Sequence, residues 1–349
     1  MKITTTTIGA FPKPKFLPIT DWFTAKGGTE SYEATLAYEA DVKKLGPTAE
    51  AKFIRAAEAV INDQVRSGID IVTDGEVRRE NYVHYHCRHL DGIDFSELSE
   101  AKVRGVYTTK LPTIYGPIRS QGAFLTHDWI AAQSLTDNPV KVTMPGPMTM
   151  GDTLADAFYE NKKVRGLEIA IALNKEILKL ADAGCRYIQI DEPLFARNVD
   201  DAINFGFDHI EACFHNCPNH VTRTIHMCCG YPDKLDNLNY PKAPKNCYFE
   251  LATAIDESSL NAVSIEDAHR PNDLCLLERF QNTSIILGVV SVACSTIESV
   301  ASIEARIKLA LNHIEARRLL VAPDCGLGLL SRKLALKKLK NIGVAVQRI

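Results

Sequence analysis

Short apolar runs rich in β-branched residues alternate with longer segments in which apolar residues recur every three or four positions. The short runs are typical of buried strands, and the periodic segments are typical of amphipathic helices. The two kinds of segment alternate along the whole chain, which predicts a repeated strand–helix architecture. The eight predicted strands are residues 3–8, 69–73, 140–144, 186–190, 221–227, 262–265, 284–290 and 319–322.

Two of the periodic segments also predict which side of the helix is buried. Apolar side chains three or four residues apart lie on one face of a helix. The first predicted face consists of Leu167, Ile171, Ile177 and Leu178, and the second consists of Ile303, Ile307, Leu311 and Ile314.

The alternation favours a closed (β/α)8 TIM barrel over a doubly wound open sheet. No glycine-rich dinucleotide fingerprint follows the first predicted strand. Polar clusters follow most of the strands, and in a barrel the carboxyl ends of all strands surround one mouth. We expect one catalytic domain over residues 1–349, with an insertion at about 78–122 that covers the mouth or pairs as a hairpin near 106–118.

The composition is that of a soluble globular protein. The chain has 349 residues, is 46% apolar and carries a net charge of -3, which argues against a general binder of nucleic acid or of membrane surfaces. No stretch approaches the roughly 20 apolar residues that span a bilayer, and the first residues lack the apolar region of a signal peptide. We therefore expect a cytoplasmic protein whose ten cysteines are free thiols or metal ligands.

The pair His226 and Cys228 is the strongest chemical signal in the sequence. Side chains two residues apart on a strand point to the same side, so an imidazole and a thiol converge from one strand end. Glu266 and Cys325 follow two later apolar runs in the same way. These are ligand types that zinc takes, which makes the four residues a candidate open zinc site. A buried cysteine beside a core histidine is the plain structural alternative.

Carboxylates and histidines near other strand ends are further candidates. Glu76 and Asp191 can hold a substrate ammonium or transfer protons, and ion pairs with nearby arginines are the alternative explanation. His84 lies in a histidine-rich segment soon after the second predicted strand. It is a candidate for substrate contact, for metal binding or for structural hydrogen bonding alone.

Several of these segments together resemble the catalytic half of cobalamin-independent methionine synthase, in the barrel superfamily that also holds uroporphyrinogen decarboxylase. They occur in the family's order over nearly the whole chain, and the chain resembles the short, single-barrel form of the family. The matching segments are residues 6–12 (TTIGAFP), 74–76 (DGE), 145–149 (PGPMT), 190–193 (IDEP), 225–228 (IHMC), 264–266 (SIE) and 323–327 (PDCGL).

The resemblance implies an activity as well as a fold. It implies that zinc is bound by His226, Cys228, Glu266 and Cys325. A metal-bound thiol loses its proton and becomes a nucleophile that can attack an alkyl carbon. We therefore predict a zinc-dependent enzyme that transfers an alkyl group, most simply methyl, to a small thiol. Homocysteine is the leading acceptor, and methyl-folate or another compound is the donor.

The resemblance also implies where the thiol substrate binds. Glu76, Asp191 and the turn that contains Ile8, Gly9 and Ala10 would hold the amino-acid part of the thiol. Asp191 is in addition a predicted catalytic residue, because a carboxylate at this place can transfer protons.

The chain departs from the family at three places. Ala10 replaces a serine that helps to hold homocysteine, and Ala293 stands where methionine synthases carry a proton-donating histidine. The tryptophan expected to stack on folate is missing near Asp152. We therefore name His84, His86 or a metal-polarised water as hypothetical proton donors. A companion protein is among the ways in which the alkyl donor could be supplied.

Three alternatives stay open. Residues 228–232, CCGYP, are closer to the epoxyalkane:coenzyme M transferase branch, which opens epoxides with a zinc-bound thiol. The alternative from another class is a zinc-binding protein without catalysis, which has no need for Glu76 and Asp191 at the same mouth. A metal-free decarboxylase on the same barrel would not need Cys228 or Cys325.

Overall fold

The computed structural model describes residues 3–26, 28, 31–103, 105, 107–237 and 239–349. Its strands fall into two sheets, one of seven strands and one of three. They are β1 (Thr4–Thr5), β2 (Leu90–Val103), β3 (Tyr107–Ser120), β4 (Val142–Pro145), β5 (Ala155–Asp156), β6 (Tyr187–Asp191), β7 (Thr222–Met227), β8 (Ala262–Ile265), β9 (Ser284–Val290) and β10 (Leu319–Pro323).

The larger sheet is parallel and has the order β1–β10–β9–β8–β7–β6–β4. The segment around Ile71 and Val72 closes it as an eighth strand. Ile71 pairs with Thr6 on one side, and Val72 pairs with Val140 on the other, both in parallel. The Lys141 N–H also donates to the Val72 carbonyl oxygen at 2.8 Å. The predicted parallel barrel is therefore confirmed, with a strand at or beside each of the eight predicted positions.

Helices lie between the strands and cover the barrel. Three of the helices, α6 (Lys162–Asp182), α11 (Val300–Ala310) and α12 (Arg332–Gln347), are capped by the residue directly before them. The side chains of these capping residues accept N–H groups of the first turn, and the residues are Asn161, Ser299 and Ser331. Among the described residues, none of the helices is both long and apolar enough to cross a membrane. The helices are α1 (Glu33–Leu45), α2 (Ala49–Arg66), α3 (His84–Cys87), α4 (Leu125–Gln133), α5 (Pro147–Asp152), α6 (Lys162–Asp182), α7 (Pro193–Arg197), α8 (Val199–Asp201), α9 (Phe207–Cys213), α10 (Cys247–Glu257), α11 (Val300–Ala310) and α12 (Arg332–Gln347).

The two predicted helix faces have different outcomes. Ile303 and Ile307 of the face predicted for α11 are buried in the core, and the rest of that face follows the end of the helix, whereas the face predicted for α6 was partly wrong. Leu167 and Ile171 are 42% and 50% exposed, while Ile177 is buried. The buried stripe of α6 runs instead through Ile169 and Leu173, four residues apart, because that side of the helix faces the barrel.

An antiparallel hairpin of β2 and β3 projects from the insertion between the second and third strands of the barrel. The sequence predicts pairing only near 106–118, and residue 106 itself lies outside the described residues. Both strands are 14 residues long, so the hairpin is larger than predicted. The short β5 extends it by pairing in parallel with β3.

Candidate active site

Functional side chains meet at the carboxyl end of the barrel strands. Asp191 ends β6, and His226 is the next-to-last residue of β7 with Cys228 just beyond it. Glu266 follows the end of β8, and Cys325 lies two residues past the end of β10. The strands are parallel neighbours, so their carboxyl ends bring these five side chains to one mouth.

His226, Cys228 and Cys325 form a compact cluster. Their ligand atoms all lie within 4.8 Å of one another, and His226 Nε2 is 3.3 Å from Cys325 Sγ. Ligand atoms in a tetrahedron around zinc are roughly 3.3–3.8 Å apart, given bond lengths of about 2.0–2.3 Å. One imidazole nitrogen and two sulfurs at this spacing therefore fit a tetrahedral metal ion.

The orientation of His226 is fixed from the opposite side of its ring. Its Nδ1 pairs with the Ser264 hydroxyl at 3.0 Å, and the two residues are also partners in the register of β7 and β8. Burial lowers the pKa of His226 to about 3, and the nearby charge of Lys141 adds to this effect. The imidazole is therefore neutral near pH 7 and turns Nε2 towards Cys325, as metal ligation requires.

Glu266 stands at the back of the cluster. It is 2% exposed, and its Oε2 accepts the backbone N–H of Cys229 at 2.8 Å. Burial and the neighbouring Cys228 raise the pKa of this carboxyl well above its usual range. Among the described residues, the cluster within 4.8 Å contains only three of the four predicted ligands, without Glu266. Its role as the fourth ligand stays a prediction.

The cluster opens into a cavity of about 790 Å³ whose wall contains the predicted substrate residues. All five residues predicted to bind substrate, Ile8, Gly9, Ala10, Glu76 and Asp191, line this cavity together with His226, Cys228 and Cys325.

Glu76 is held in an unusual backbone conformation at the floor of the cavity. Its φ angle is 55°, in the left-handed region that non-glycine residues seldom adopt. Its Oε1 accepts the Thr143 hydroxyl at 2.7 Å and lies 3.2 Å from Arg79 Nη1. A Cβ on Gly9 would lie 2.5 Å from the same oxygen, so a side chain at residue 9 would displace the carboxylate.

Asp191 is positioned by a buried chain of polar side chains. Gln189 donates from Nε2 to Asp191 Oδ1 and to the Ile8 carbonyl oxygen, each at 2.7 Å. Lys141 Nζ donates to Gln189 Oε1 at 2.6 Å and thereby fixes which way the amide points. Burial and the negative charge of Glu76 raise the pKa of Asp191 well above its usual range. Gln189 therefore ties together the two elements predicted to hold the substrate.

His84 is not brought into this group. Its Nδ1 pairs with the Thr35 hydroxyl at 2.7 Å, and its Nε2 pairs with the Thr153 carbonyl oxygen at 3.0 Å. It lines a smaller pocket beside the hairpin instead of the principal cavity. Both ring nitrogens are engaged in structural contacts, which leaves neither free for the predicted proton donation.

Sequence reasoning missed the aromatic wall of the cavity. Trp22 lies 5.0 Å from Phe23 and 5.4 Å from Tyr82 between ring centroids, and Phe23 lies 5.8 Å from Tyr231. Tyr107 of the hairpin also lines the cavity. The adjacent aromatics at 22 and 23, in the polar loop after the first strand, were the available signal.

The parallel barrel and its mouth cluster define a class, namely barrel proteins with a histidine–cysteine cluster that could hold a metal ion at the carboxyl end of the strands. Residues 3–348 match the family described as cobalamin-independent synthase, catalytic domain. The chain belongs to that family, as the motifs in its sequence indicate.

Known relatives agree with this assignment. The methionine synthase of Sulfolobus acidocaldarius is 27% identical over 97% of this chain and 89% of its own, and that of Saccharolobus solfataricus is 27% identical over 97% and 92%. The structure of a B12-independent methionine synthase from Shewanella sp. W3-18-1 in complex with selenomethionine superposes with a TM-score of 0.86. It is 27% identical, and the match covers 100% of this chain and 98% of that one.

Proposed function

We propose that this protein is a zinc-dependent methyltransferase that methylates the thiol of homocysteine. The observation that carries the proposal is the position of the His226, Cys228 and Cys325 cluster, which faces the same cavity as Glu76 and Asp191. A metal buffer would need the cluster but not the carboxylates. The names and the 27% identity of the methionine synthases support the reaction.

The donor set supports zinc as the metal. His226, Cys228 and Cys325 would hold it, and we propose Glu266 as the ligand that completes the site. Mixed nitrogen, sulfur and carboxylate ligands suit zinc, whereas magnesium and calcium require oxygen alone. When bound, zinc would lower the pKa of an added thiol and so supply a nucleophile at neutral pH.

The carboxylates support an amino-acid thiol as acceptor. Glu76 and Asp191 place two acidic groups in the lining, and no lysine or arginine is among the described residues that line the cavity. An ammonium group would relieve the repulsion between these two buried acids. Gln189 holds Asp191 and the Ile8 carbonyl in fixed positions around that ammonium.

The same lining indicates which group handles the proton of the leaving group. His84 lies elsewhere, and Ala293 cannot donate a proton. Asp191 lines the cavity, and its environment favours the protonated carboxyl. We assign proton donation to Asp191, with Glu76 as the principal partner of the ammonium.

Metal content and X-ray absorption of the purified protein test the proposal. We expect about one zinc per chain and one additional sulfur neighbour when homocysteine is added. Coenzyme M serves as the matched thiol without an amino group, and it should bind more weakly because it offers no ammonium group to Glu76. Zinc that gains no sulfur with homocysteine, or a protein without zinc, would refute the proposal. A preference for coenzyme M would favour the epoxide-opening alternative.

A further inference from the structure

A second pair of cysteines lies directly behind the mouth cluster. Cys229 Sγ and Cys247 Sγ are 3.9 Å apart, and both residues are fully buried. Neither lines the principal cavity. Cys229 lies just after the end of β7, and Cys247 is the first residue of α10, so the pair joins residues that are 18 positions apart in the chain.

This pair is connected to the candidate ligands through short hydrogen bonds. The Cys229 N–H donates to Glu266 Oε2 at 2.8 Å, and Cys229 is the residue directly after Cys228. On the other side, the Tyr248 hydroxyl donates to the Met227 carbonyl at 2.8 Å and accepts the Glu266 N–H at 3.0 Å. Any movement of either cysteine is therefore passed to Glu266 and to the end of β7.

We propose that Cys229 and Cys247 form a reversible disulfide and that its formation weakens the metal site. Hydrogen peroxide is the oxidant, because it is small and neutral enough to reach buried sulfurs. One thiol attacks the peroxide, so that a sulfenic acid forms and water leaves. The second thiol then attacks that sulfur, the S–S bond forms and a second water leaves. Two thiols are oxidised and one peroxide is reduced to two waters.

Closing the bond requires movement. A disulfide holds its sulfurs at about 2.05 Å, so the two sulfurs must approach from the 3.9 Å seen in the dithiol. The approach draws the Cys229 backbone towards α10 and pulls its N–H away from Glu266. The link to metal binding rests on the proposed function, whereas the disulfide itself does not.

The test exposes the zinc-loaded protein to hydrogen peroxide, blocks the remaining thiols by alkylation and maps the disulfides by peptide mass spectrometry. We expect a Cys229–Cys247 crosslink as the first product. We also expect zinc affinity to fall by roughly 10–100-fold, the range for loss of an outer-shell partner, and to recover with dithiothreitol. Zinc is followed with a coloured chelator.

Variants separate the cause from its effect. Cys247→Ser should keep full basal activity and hold its zinc at peroxide concentrations that release zinc from the wild type. Cys294→Ser, in which a partly exposed thiol outside this pair is replaced, should behave as the wild type does. A first crosslink between Cys228 and Cys325, or equally fast zinc release from Cys247→Ser, would overturn the inference. If the untreated protein holds no zinc, the proposed function fails while peptide mapping still decides the disulfide.

Discussion

The two ends of the barrel contain cavities of different chemistry, and the larger cavity is not the one at the mouth. The cavity at the amino ends of the strands measures about 1010 Å³, and the one at the mouth about 790 Å³. Strand β7 contributes to both, because Thr222 and Thr224 line the lower cavity and His226 lines the upper one. Alternate residues of one strand point to the same side, so a single strand supplies hydroxyls at one end and a candidate metal ligand at the other.

The comparison shows that the size of a cavity does not identify the functional end. The described residues that line the lower cavity include no histidine, cysteine or carboxylate, so they cannot form a metal site of this kind. The mouth combines such ligands with acids and an aromatic wall. Changes at the mouth should therefore alter chemistry, and matched changes at the lower end should not.

The largest effect is expected from removal of a metal ligand. Cys325→Ser should lower zinc affinity by more than about 100-fold, above the range for an outer-shell partner, and abolish methyl transfer. Its melting temperature should change little, since open metal sites rarely hold a fold together. Thr224→Ser at the lower end is the control and should retain zinc. A Cys325→Ser protein that keeps its zinc would remove Cys325 from the ligand set.

A smaller effect is expected from the partner of His226. Ser264→Ala leaves Nδ1 without its hydroxyl, so zinc affinity should fall by roughly 10–100-fold. Ser284→Ala removes a hydroxyl from the lower cavity and should leave the affinity unchanged. Competition with a chelator measures both. Equal affinities in the two variants would show that Ser264 does not orient the ligand.

A change at Glu76 should weaken the binding of the acceptor thiol and leave zinc binding unchanged. Glu76→Gln removes a charge from the ammonium partner, and the KM for homocysteine should rise about tenfold, as expected for a hydrogen bond to a charged group. Zinc content should stay the same. Glu50→Gln, which changes a surface carboxylate paired with Arg78, is the matched control and should leave the KM unchanged. A KM unaffected by Glu76→Gln would contradict the assigned binding mode.

Lys141 provides the most subtle test, because it lines the lower cavity and supports Asp191 at the mouth. Burial lowers its pKa to about 7 from 10.5. Between pH 7 and 10.5 the unfolded chain therefore binds more protons at this residue than the folded protein does. The free energy of unfolding should rise with pH in this window, by up to about 1.4 kcal/mol per pH unit. Lys141→Met should lose this slope in unfolding curves recorded from pH 7 to 9. An unchanged slope would show that Lys141 titrates normally.

Local patterns were sufficient to predict the barrel and to place His226 and Cys228 together at its mouth. His226 and Cys228 stand two residues apart at the end of an apolar run, and strand geometry alone places their side chains on the same side. The aromatic wall was not predictable in this way, because Phe23 and Tyr231 meet only after the loops fold together. Leu167 and Ile171 were assigned to the wrong side of α6, since spacing alone does not show which side meets the barrel.

The narrow closure of the barrel has a consequence for its dynamics. Ile71 and Val72 each make a single bridge to the neighbouring strands, whereas β9 and β10 pair along five positions. The Gln64 side chain reinforces this joint, because it donates a hydrogen bond to the Thr73 carbonyl oxygen and accepts one from the Thr73 N–H. Amide hydrogens at 71–73 should therefore exchange with solvent sooner than those of β9. Glu76 lies just beyond this joint. An ammonium group bound between Glu76 and Asp191 would therefore link the joint to β6 and slow the exchange of these amide hydrogens.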